Sequence, residues 1–130
     1  MKPIYTVLIL ALITASSCKS KQKLTQQQKT DCERFHTGTF KMISYMTNEE
    51  YIVVRDKNVQ KEKNRSEGIA LKIKWLNECS YEISPADGSK EGPAKIKVVL
   101  SNIHGDTCSY EAIPSNPLYP RQDGIFIIQH

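Results

Sequence analysis

The chain has 130 residues, a formal net charge of +4 and 39% hydrophobic residues, with four cysteines. That length allows one small domain and leaves no room for the several domains of a large multi-step enzyme. All 14 acidic residues lie at or after Asp31, whereas Lys2, Lys19, Lys21, Lys23 and Lys29 take five of the 18 basic ones, so residues 31–130 carry a net charge of −1. The basic character belongs to the N-terminal segment, which argues against a nucleic-acid-binding domain with a basic face of its own.

Residues 1–17 open with Met1-Lys2-Pro3, continue as an apolar run from Ile4 to Ala15, and end in small residues. This is the pattern of a secretory signal, too short to span a bilayer as a helix. Ala15-Ser16-Ser17-Cys18 resembles the lipobox of bacterial lipoproteins, although Ala15 stands where Leu is usual. The resemblance implies cleavage before Cys18, acylation of that cysteine and a firm lipid anchor. Residues 18–30, "CKSKQKLTQQQKT", hold one large apolar residue, Leu24, and read as a lipidated cysteine followed by a basic tether suited to anionic head groups. Lys19 follows the cysteine, where Asp would retain a proteobacterial lipoprotein in the inner membrane. The expected address is therefore the periplasmic face of the outer membrane.

Residues 31–130 alternate with period two. "GTFKMISYM" turns Phe40 and Met42 inward. "EYIVVRDK" and "VQKEK" flank a turn near Asp56-Lys57-Asn58. "GIALKIKW" is the most regular strand, with Ile69, Leu71, Ile73 and Trp75 on one face and Lys72 and Lys74 on the other. "CSYEIS" turns Cys79, Tyr81 and Ile83 inward, and "AKIKVVLSN" does the same with Ile96, Val98 and Leu100. After a turn at His104-Gly105-Asp106, "TCSYEAI" places Cys108, Tyr110 and Ala112 on one face. Pro114, Pro117 and Pro120 mark the loop before a last strand, "GIFIIQH". No segment carries a helical period. Seven or so short strands in sequence predict an all-β domain: a single antiparallel up-and-down sheet, curled or closed into a small lipocalin-like barrel.

With Cys18 lipidated, Cys32, Cys79 and Cys108 remain, and an exported chain is expected to form a disulfide. Cys32–Cys79 is the preferred pair, because it staples the segment entering the first strand to the central hairpin. Cys79–Cys108, joining the two "CSYE" strands, is the rival. Cys108 is expected to be a buried odd thiol, not a nucleophile.

The stretches "DCERFHTGTFKM", "VVRDKNVQKEK" and "IKWLNECSYEI" resemble a family of short lipid-anchored proteins from Flavobacteria-type bacteria. The matching positions include Cys32, Phe35, Gly38, Phe40, Arg55, Gln60, Glu62, Trp75, Asn77, Cys79 and Tyr81. Some members carry the label "DNA topoisomerase IV", an activity for which an exported chain this short has no room. "TGTFKM" also resembles the opening of lipocalin-like barrels, with Phe40 in the place of their tryptophan.

His36, His104 and His130 show no metal-ligand spacing, and Glu49, Glu50 and Glu62 read as solvated strand-end charges. No cofactor is expected. Trp75, Tyr81, Tyr110 and Phe40 are candidates to line a ligand cavity or fill the core. Three functions remain. The first is a non-enzymatic envelope lipoprotein that contacts another envelope component, the second a lipocalin-like carrier of a small apolar ligand, and the third, least favoured, a hydrolase using histidine or cysteine. A cavity favours the carrier; a filled interior with an exposed apolar patch favours the contact protein.

Overall fold

The computed structural model describes residues 23–64, 68–88 and 94–130. The signal, Cys18 and the start of the tether lie outside these residues.

One helix, α1 (Gln26–Glu33), precedes eight strands: β1 (Gly38–Ser44), β2 (Glu50–Arg55), β3 (Val59–Lys63), β4 (Gly68–Asn77), β5 (Ser80–Pro85), β6 (Ile96–His104), β7 (Thr107–Pro114) and β8 (Gln122–Ile128). Each strand pairs with the next in antiparallel register, and β8 returns to β1 through pairs such as Met42 with Phe126, closing a barrel. Closure removes every sheet edge, and alternation then sends one face of each strand into an enclosed interior. The alternating residues do as their pattern predicts: Phe40, Ile73, Tyr81, Ile83, Val98, Leu100, Cys108, Tyr110 and Phe126 are buried, while the intervening Lys72, Lys74 and Lys97 are exposed.

The closure depends on Gly124. An ideal Cβ there would lie 2.0 Å from the carbonyl oxygen of Ile43 on β1 and 2.8 Å from the Tyr110 hydroxyl oxygen. Gly124 lets the two terminal strands meet, and Tyr110, its partner across the β7–β8 ladder, folds its ring over the space that the missing side chain leaves.

Part of the segment read as tether is helical. Thr25 caps α1 by accepting from the Gln28 amide, and the Gln28 side chain accepts in return from the Thr25 amide. The helix has no apolar stripe, which is why periodicity does not reveal it; Cys32 is its buried residue. Tertiary links hold it in place. Cys32 is bonded to Cys79 (S–S 2.04 Å) in the β4–β5 turn, and Lys29 faces Glu78 at 3.7 Å. Arg34, just beyond the helix, donates to the Gly105 carbonyl at 2.7 Å and to Asp106 at 2.9 Å in the β6–β7 turn. The helix and its exit thus cap the barrel end formed by the β2–β3, β4–β5 and β6–β7 turns.

Candidate ligand-binding site

The interior divides into a filled half and an open half. The filled half lies under the cap. Chain leaving α1 drives Phe35 into the barrel, fully buried, against Phe40 with ring centroids 5.7 Å apart. Phe126 meets Phe40 edge-on at 6.2 Å and Tyr110 at 4.7 Å. Among these rings lies the Arg55 guanidinium, 5.0 Å from the centre of Phe40, 4.8 Å from Tyr81 and 4.9 Å from Phe126. Arg55 is only 2% exposed, so its charge needs fixed partners. It donates to the Phe35 carbonyl, to the Tyr81 hydroxyl at 2.8 Å, and through Nε to Gln60 Oε1 at 2.9 Å. Rings over its faces and an oxygen at each of its three nitrogens compensate the buried ion.

Gln60 turns this core toward the open half. Its amide Nε2 donates to Glu62 Oε1 at 2.6 Å, two residues along the inner face of β3. Glu62 opens onto a cavity of about 300 Å³ at the far end of the barrel. Met42, Leu71, Ile83, Ile96, Val98 and Ala112 form its apolar walls, with Ile69 and Pro85 at the mouth and Tyr110 and Gln122 as further polar lining. Glu62 is the one charged side chain among the described residues of that lining. Burial pushes its carboxyl above the usual range, against the opposing pulls of the Gln60 hydrogen bond and the Arg55 charge. Burial also pushes the Tyr110 hydroxyl up to about 12, so it stays protonated and able to donate.

The four aromatic candidates separate. Phe40 and Tyr81 fill the core beneath the cavity, and Tyr110 lines it. Trp75 lies at the capped end, half-buried, stacked on His36 with centroids 3.7 Å apart and packed on Tyr81 at 4.7 Å. His36 Nε2 is 2.7 Å from the Glu78 carbonyl oxygen, so the Trp75–His36 pair belongs to the cap.

The reactive groups are dispersed. Cys108 is buried, and desolvation pushes its thiol up to about 12, which keeps it protonated and unreactive. His130 is 2.7 Å from Asp106 on the outer rim of the capped end, and His104 is exposed. Among the described residues, no three histidine, cysteine or carboxylate groups converge to hold a metal.

Glu62 corrects the sequence reading. It is not a solvated strand-end charge but part of the cavity wall, because the inner phase of β3 carries Gln60 and Glu62 while Lys61 and Lys63 point out. Arg55 likewise shares the inner phase of β2 with Val53, both buried. The alternation of "VQKEK" contained the signal, but polar residues on both faces conceal which one is buried. Set against protein-family models, curated proteins and solved structures, the chain matches none.

Proposed function

We propose that this chain is a lipid-anchored envelope protein whose barrel takes up a small apolar ligand through its open end. The observation that carries this reading is the half-empty interior: a cavity of about 300 Å³ walled by aliphatic side chains. That volume is at the small end of the range for small-molecule sites, roughly 300–1,000 Å³. A barrel that served only as a contact surface would gain stability by filling this space, since each unfilled methylene-sized void costs about 1 kcal/mol. The cavity therefore supports the carrier over the contact protein. The signal at residues 1–17, the cysteine at position 18 and Lys19, Lys21 and Lys23 ahead of α1 support an anchor that holds the barrel beside a membrane.

Filling the cavity tests the reading. Ala112 lines it on β7, and Ala112→Phe introduces a ring into the space. A neutral solvatochromic dye should bind the wild-type protein and not this variant, while their far-ultraviolet circular dichroism spectra coincide. A wild-type protein that takes up neither the dye nor short alkanols would overturn the carrier role.

A further inference from the structure

We infer that Glu62 selects the ligand, and that the cavity is built for an apolar molecule bearing a positively charged amine. This rests on the carrier reading and deepens it.

The cavity is asymmetric in its polar groups. Glu62 Oε1 accepts from Gln60, and a carboxylate has about four acceptor positions, so acceptor capacity remains on the side that faces the cavity. Among the described residues, no cationic side chain lines this space. The positive charge inside the barrel, Arg55, is on the other side of Gln60 and is already engaged by Gln60, the Phe35 carbonyl, Tyr81 and three aromatic rings. An incoming carboxylate would meet Glu62 first and Arg55 not at all. An incoming ammonium would meet a carboxylate in an apolar setting, where the attraction between opposite charges is far stronger than in water. It would also add a counter-charge on the cavity side of Glu62, where Arg55, beyond Gln60, does not reach. Ser84, Tyr110 and Gln122, the other polar side chains described in the wall, are neutral and do not reverse this preference.

The hydrocarbon part of the ligand has a defined place. Leu71, Ile83, Ile96 and Val98 surround the space, and Ile69, 53% exposed at the mouth, offers further apolar surface where a chain would emerge. An amine head at Glu62 and an alkyl or aryl body toward Ile69 satisfy both ends of the site.

Calorimetric titration of the purified protein with octylamine, octanol and octanoate tests this. All three share a tail, so the head group decides the order. Octylamine should bind at least about tenfold more tightly than octanol, and octanoate more weakly than either. Glu62→Gln keeps an acceptor for Gln60 and removes the charge, so it should abolish the preference of octylamine over octanol. Equal binding of octylamine and octanol by the wild type, or tightest binding of octanoate, overturns the amine inference and leaves the carrier role standing. Binding of none of the three overturns both.

Discussion

Arg55 donates to the hydroxyl of Tyr81 at 2.8 Å, joining β2 to β5 across the interior of a barrel in which those strands are not neighbours. The bond belongs to a set that also reaches Phe35 and, through Gln60, the carboxylate of Glu62. Removing the guanidinium leaves a carbonyl, a hydroxyl and an amide oxygen without their donor, and removes a positive charge that acts on Glu62. Arg55→Ala should therefore cost several kcal/mol, since each buried polar group left without its partner costs about 1–3 kcal/mol. Urea denaturation measures it. A loss below about 1 kcal/mol would show that these groups find other partners.

The Cys32–Cys79 bond closes a stretch with a sequence separation of 47. In the chain-entropy picture such a cross-link contributes about 4 kcal/mol by restricting the unfolded chain. Cys32→Ser with Cys79→Ser should lower stability by that order and release α1, which has little apolar surface of its own with which to stay docked. Hydrogen exchange reads the release directly: amides of α1 should lose protection while those of β6 and β7 keep theirs. Uniform loss across all strands would mean that the cap and the barrel form one cooperative unit.

Gly124→Ala places a methyl group where the Ile43 carbonyl and the Tyr110 ring already lie. The backbone of β1 must move or the seam must open, and overpacking of this kind costs roughly 1–3 kcal/mol. Adding Tyr110→Phe removes only the hydroxyl contact and should recover little, because the nearest atom is backbone. Thermal melts of the single and double variants check this; full recovery in the double variant would place the clash on Tyr110 instead.

Glu62 gives a pH dependence with a definite sign. Its folded-state value is raised, chiefly by burial, so the folded protein holds this proton more tightly than the unfolded chain does. Its contribution to stability is fully present below the unfolded carboxylate value of about 4.3 and is lost as pH rises through the raised folded value. Arg55 on β2 is the charge that acts against the shift, and the neighbouring Tyr51, Tyr81 and Tyr110 all have raised values and stay neutral in this range. Glu62→Gln should thus be more stable than the wild type near pH 7, with the gap closing toward about pH 4. Asp56, lowered by the amides of Asn58 and Val59, and Asp106, lowered by its bond to His130, titrate with the opposite sign but are common to both proteins and cancel in the comparison. A variant less stable than the wild type by the same amount at every pH would contradict the raised value.

Sequence alone determined the antiparallel up-and-down sheet. A half-buried strand must alternate, and "GIALKIKW", "CSYEIS" and "TCSYEAI" alternate clearly enough to fix which residues face inward and how the strands follow one another. Tertiary structure decided what sequence left open. It decided that the sheet closes, because closure depends on how near β8 can come to β1 at Gly124, and a lone glycine in "DGIF" does not state that distance. It decided that α1 forms, since a polar helix is held by Cys79, Glu78 and Asp106, all far away in the chain. It decided the site as well. Glu62 is a residue that local pattern assigns to solvent, and nothing in that pattern marks Arg55 or Gln60 as buried. Inside a closed barrel they pair with one another, and only there does each polar group find the partner that makes its burial tolerable.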